Sequence, residues 1–111
     1  FLTAPLMKWM FGKYVSDPAQ RGNDLMSPVR ASAERLRGLP ATLIVVAEND
    51  ILRDEGEAMG RRLDEAGVEV TTVRFNGVVH DWGMLNGFAA LHPTRTLIRL
   101  VGSVLRDYLE K

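Results

Sequence analysis

The 111-residue sequence contains no cysteine, which excludes disulfides, thiol nucleophiles and thiolate metal ligands. It holds only two histidines and no Cys/His cluster, so no structural zinc site is expected. An excess of either charge is also missing: 14 basic side chains stand against 14 acidic ones. Nucleic acid is therefore not an expected partner, since it calls for a basic stripe, and nothing draws the chain to an anionic membrane surface. No apolar run reaches the roughly 18 residues of a membrane span, and no signal peptide is visible. A cytoplasmic location is the expectation. The chain opens on Phe1 rather than Met, directly into Phe1-Leu2-Thr3-Ala4-Pro5-Leu6. That reads as a boundary inside a longer protein, so the missing signal peptide does not speak for the parent. Charged residues at 25% and apolar residues at 46% match an ordinary globular protein, and the length suits one small domain.

Thr3 is placed to cap a helix whose first turn holds Pro5, and Leu6, Met7, Trp9, Met10, Phe11, Tyr14 and Val15 follow on a wide apolar arc. Asp17-Pro18, Gly22-Asn23 and Ser27-Pro28 mark turns, and a short helix is expected from Ala33 to Arg37, ended by Gly38. The run Ala41 to Ala47 is short, β-rich and continuously apolar, as in a strand buried on both faces. A helix follows from about Arg53 to Ala66, with acidic residues in its first turn and Gly67 at its C′ position. Gly56 and Gly60 lower its propensity but let it approach a sheet closely. Val68 to Phe75 predicts a second, more polar strand of edge type, and Gly77 to Pro93 predicts a loop. Thr94 to about Leu109 carries apolar residues at helical spacing.

A strand–helix–strand crossover of this length implies parallel strands joined right-handedly. Two such strands do not make a stable sheet alone, so the pattern is that of the end of a larger one. The segments divide as 1–32, a helix and loop, and 33–111, an α/β unit.

Ligands of open α/β sheets bind beyond the carboxyl ends of the strands. Asp50 follows the first strand, and His80 lies five residues past the expected end of the second. On parallel neighbours both would emerge at one sheet edge, where a carboxylate can fix an imidazole tautomer and leave the other nitrogen as a general base. The plainer readings are a helix cap for Asp50 and a structural or solvent-exposed histidine. Asp54, with Glu57 three residues on, competes for the cap and would free Asp50. His92, beside Pro93, reads as a helix-boundary residue.

Two motifs sharpen this pair. Leu39 to Ala58, with Asp50-Ile51-Leu52-Arg53-Asp54-Glu55-Gly56 at its centre, resembles the acid-bearing segment of hormone-sensitive-lipase-like esterases of the α/β-hydrolase superfamily. Their pattern is Asp-Pro-Leu-Arg-Asp-Glu-Gly, whose first Asp is the triad acid; Ile51 replaces the Pro, which alters turn stiffness and not the carboxylate. Gly77-Val78-Val79-His80-Asp81-Trp82 resembles the family's Gly-x-x-His-Gly-Phe segment, whose His is the triad base. Asp81 departs from the commoner Gly; it is expected to point away from His80, with a minor alternative role as its partner. The order Asp before His fits the hydrolase order Ser…Asp/Glu…His.

The resemblance implies the C-terminal strand–helix–strand–helix portion of an α/β-hydrolase fold, preceded by a lid-associated helix in 1–32. It implies a serine carboxylesterase or lipase acting on small to medium carboxylic esters, with Asp50 as acid and His80 as base and no metal or organic cofactor. Trp9, Met10, Phe11 and Tyr14 would line the acyl cleft or simply pack on the sheet.

The chain has no Gly-x-Ser-x-Gly elbow; its serines are Ser16, Ser27, Ser32 and Ser103. The family's oxyanion segment is missing too. The chain alone is therefore expected to be inactive, and to associate with the N-terminal part of the enzyme or with itself. Two other classes stay open: a catalytically silent binding module on the hydrolase framework, and a flavodoxin-like regulatory domain, which would need about five strand–helix units.

Overall fold

The computed structural model describes residues 2–110, so Phe1 and Lys111, the outer ends of the two segments drawn from sequence, lie outside the described residues. Helix α1 (Ala4–Tyr14) begins as expected, with Thr3 Oγ1 accepting from the Leu6 N–H at 3.4 Å and Pro5 in the first turn. Two 3₁₀ turns follow at Pro18–Gly22 and Pro28–Arg30, each starting at a proline of the turn pairs read from sequence. The short α2 (Ala33–Leu36) is capped by Ser32, and Gly38 beyond it takes a left-handed φ of 86°.

Strand β1 (Thr42–Asn49), α3 (Arg53–Glu65) and β2 (Val70–Val79) form the parallel crossover, and α4 (His92–Leu109) closes the described chain. Each face of the sheet has its own core. On one, Ile44 and Val70 pack with Leu63, Ala66 and Leu36 beneath α3 and α2. On the other, Ala47, Val78 and Trp82 pack with Val45, Phe75 and Leu97 of α4. Alternate residues of β1 thus serve opposite faces, as its continuous apolar run demands.

The expected close approach of α3 is met at its glycines. A Cβ on Gly56 would come within 2.7 Å of Val46 Cγ1, and one on Gly60 would overlap the Thr72 hydroxyl. Gly60→Ala is accordingly expected to lower stability by about 1–3 kcal/mol through overpacking. Denaturant unfolding checks this: Thr72→Ala in the same chain should return most of the loss, and equal stability of Gly60→Ala and the parent would refute the close contact.

Three expectations change. β2 does not end at Phe75 but runs to Val79, because a bulge between the pairs Ala47–Phe75 and Asn49–Val79 carries the strand through Gly77, where the loop was expected to begin. His80 therefore follows the strand directly instead of lying five residues beyond it. Asp54 is not the cap of α3: the N-cap position is Leu52, without a side-chain cap bond, and Asp54 instead pairs with Arg53 at 2.8 Å. Finally, α1 has no buried residue, and Trp9 and Tyr14 are 62% and 76% exposed, so packing of this helix onto the sheet is not what its apolar arc does here.

Candidate functional site

The carboxyl end of β1 delivers Asp50 and that of β2 delivers His80, and the two side chains meet: His80 Nδ1 lies 2.7 Å from Asp50 Oδ2. Asp50 divides its carboxylate. Oδ1 accepts the Leu52 N–H at 2.9 Å, fixing the turn into α3, and Oδ2 faces the imidazole. The local cap-like role and the contact with the imidazole, set against each other in sequence, are held by one residue at once. The Asp50 side chain is 11% exposed and that of His80 28%, so water reaches the imidazole more readily than the carboxylate.

A carboxylate only accepts, so the proton between the two residues sits on Nδ1 as N–H···O, and in the neutral tautomer that this selects Nε2 carries the lone pair. Such a nitrogen can take a proton from a hydroxyl.

Asp81 does not point away from His80, contrary to the expectation from adjacent residues. Its Oδ1 lies 3.4 Å from Nε2. The cause is its backbone: Asp81 has φ of 59°, the left-handed region, and this turn swings its side chain back over the ring rather than alternating as a strand would. The same φ explains why glycine is the commoner residue here in the family pattern; Asp is among the few side chains that tolerate it. With a neutral ring, Nε2 and Oδ1 are two acceptors and share no hydrogen bond; a proton arriving on Nε2 would stand between them. Sequence reasoning kept Asp81 only as a minor alternative partner of His80 and had its direction wrong; the glycine preference at that position was the signal for the left-handed turn.

The surroundings are held from both sides. Trp82, 7% exposed, packs against Phe75 with ring centroids 5.4 Å apart and anchors the chain two residues after His80. Arg53 Nη1 donates to the Glu48 carbonyl at 2.6 Å, tying the first turn of α3 to the end of β1. The Arg53 hydrogen bond holds the Asp54 carboxyl below its ordinary range, and Asp54 raises Arg53 in turn, so both remain charged there. Among the described residues no group of three or more His, Cys, Asp or Glu side chains could hold a metal ion, and no helix is long and apolar enough to cross a membrane. The serines are elsewhere: Ser32 caps α2, Ser27 Oγ donates to the Arg21 carbonyl, and Ser103 lies within α4. His92 is the first residue of α4, the boundary position expected for it.

A family model described as alpha/beta hydrolase fold matches residues 1–84. The arylesterase of Saccharolobus solfataricus is 37% identical over 94 residues, which cover 85% of this chain and 28% of the relative. The ethyl acetate hydrolase of Pseudomonas putida is 37% identical over 81 residues, covering 73% of this chain and 25% of the relative. The crystal structure of a thermostable esterase from Pseudomonas putida ECU1011 superposes with a TM-score of 0.90 at 47% identity, over 92% of this chain and 32% of that one. The chain thus spans about a third or less of the proteins it matches. Its parallel strand pair, its helices and these likenesses agree, and the chain belongs to the α/β-hydrolase family, among relatives that are hormone-sensitive-lipase-like esterases.

Proposed function

We propose that this chain supplies the acid and the base of a serine carboxylesterase whose nucleophile lies outside these 111 residues. The observation that carries the reading is the 2.7 Å contact between His80 Nδ1 and Asp50 Oδ2. It is supported by the family membership and by relatives named as esterases.

In the proposed cycle a serine hydroxyl attacks the ester carbonyl, its proton passing to His80 Nε2 as the C–O bond forms. Asp50 keeps the ring in its tautomer and steadies the imidazolium. The proton then goes from Nε2 to the leaving alcohol as the ester C–O bond breaks, giving an acyl-enzyme. Water, activated by the same nitrogen, attacks the acyl group; the acid leaves and the serine is restored. The cycle calls on no metal or organic cofactor. Small to medium carboxylic esters suit this reading, and two relatives carry names of that kind, an arylesterase and an ethyl acetate hydrolase.

The test uses the protein expressed from its full reading frame. It is expected to hydrolyse a p-nitrophenyl ester and to be labelled once by a fluorophosphonate, with the labelled peptide outside the present 111 residues. A label on Ser16, Ser27, Ser32 or Ser103 would refute the division of labour. No turnover and no label would favour the silent binding module.

A further inference from the structure

His80 meets Asp50 only because the sheet changes register just before it. Ala47 pairs with Phe75, and an unbroken ladder would set Asp50 opposite Val78. Instead Asn49 pairs with Val79, so the next position along sets Asp50 opposite His80. Between those pairs β1 advances two residues and β2 advances four, leaving Glu48 to face the extra length of β2. Two extra residues draw everything after them back by roughly 6–7 Å, and within the detour strict alternation lapses, since Phe75 and Val78, an odd interval apart, pack in one cluster with Ala47 and Trp82. Val78 is buried in that cluster, and His80 arrives at the sheet edge beside Asp50.

A detour of this kind frees backbone groups from the ladder and needs something to hold it. Gly77 lies in the detour with φ of 73°, and its N–H donates to Glu48 Oε2 at 2.7 Å. This is a charge-assisted bond accepted by the residue of β1 that the detour faces, and the Glu48 main-chain carbonyl meanwhile accepts from Arg53. One residue therefore grips the approach to His80 with its side chain and the approach to Asp50 with its backbone. Its carboxylate has no part in the proton transfers of the proposed cycle.

We propose that Glu48 is a positioning residue for His80: by accepting the Gly77 N–H it holds β2 in the shifted register that sets the imidazole opposite Asp50. The consequence for turnover rests on the esterase reading above, whereas the geometry does not.

The experiment uses the full-reading-frame protein with Glu48→Gln, Glu48→Asp and Glu48→Ala, each checked for a cooperative melt. Two readouts are taken: kcat and KM on p-nitrophenyl acetate, and the low-field proton resonance of the His80–Asp50 bond, identified by its loss in His80→Gln. Gln keeps an acceptor at the right reach without the charge; Asp keeps the charge without the reach. Expected are near-parental kcat and resonance for Glu48→Gln, with kcat reduced about ten- to hundredfold at little-changed KM for the other two, whose resonance shifts or broadens. An intact resonance in Glu48→Ala, or a Glu48→Gln protein as impaired as Glu48→Ala, would overturn the proposal. If the parent hydrolyses no ester yet its resonance depends on Glu48 in this order, the esterase reading fails and the positioning role stands.

Discussion

Asp50→Asn in the full-length protein is expected to lower kcat by about 10⁴-fold with almost no change in folding stability, and His80→Ala to lower it by at least as much. The two substitutions fail for different reasons. His80→Ala removes the group that accepts the serine proton in the proposed cycle. Asp50→Asn leaves the shape intact: its side-chain oxygen can still accept the Leu52 N–H, which Oδ1 now takes at 2.9 Å, so the turn into α3 persists. What changes is the atom facing His80 Nδ1. An amide N–H there donates rather than accepts, so Nδ1 must carry the lone pair and Nε2 the proton. The ring then presents a proton where the reaction needs a base.

Asp50→Ala separates the two duties of the residue: it should lose activity and also stability, since the Leu52 N–H loses its partner, a loss of about 1 kcal/mol. Steady-state kinetics with thermal melts check the set. An Asp50→Asn protein that keeps its melting temperature and its kcat would remove Asp50 from the mechanism and leave Asp81, 3.4 Å from Nε2, as the carboxylate to test next.

The site was legible in outline because its residues lie at places that local chemistry marks. An apolar β-rich run ending in Glu48-Asn49-Asp50 announces a strand end, and the surrounding motif names its carboxylate. The register was not legible, because Asn76-Gly77 is an ordinary turn signal and only pairing with β1 reveals that the strand continues through it. The double use of Asp50 was hidden for a related reason: sequence offers two candidate acids for one cap, and geometry alone shows that Asp54 turns to Arg53. Asp81 was misjudged by assuming strand-like alternation at a residue whose φ is positive. Of the apolar arc of α1 only Val15, just beyond the helix, is buried among the described residues, so sequence periodicity did not reveal what the rest of it meets. Of these, the register depends on pairing distant in sequence, whereas the roles of Asp54 and Asp81 turn on local backbone and side-chain conformations that residue type does not dictate.

Taken alone, the 111-residue chain is expected to show no ester turnover and not to persist as a monomer. The first half follows from what a tetrahedral intermediate requires: a nucleophile and preorganised donors for its oxyanion, neither of which a serine-free strand end provides. The second half follows from the surface. β1 carries the apolar run Leu43 to Ala47 yet pairs only with β2 among the described residues, so its other edge offers open backbone groups. On one sheet face, a groove of about 740 Å³ runs between the strands and α4, lined by Leu43, Val45, Thr71, Val101, Val104 and Leu105. Further along α4, Ile98 and Leu109 are 61% and 79% exposed. A parallel strand with both faces built for burial and one edge unpaired takes another strand, from the rest of the protein or from a second copy. Mixed with the remainder of its reading frame, the chain should form a complex and gain turnover on p-nitrophenyl acetate; by itself it should sediment as dimers or larger species. A stable monomer whose Leu43 to Ala47 amides resist hydrogen exchange would refute the association. Robust hydrolysis by the chain alone, abolished by His80→Ala, would refute the need for a nucleophile from outside it.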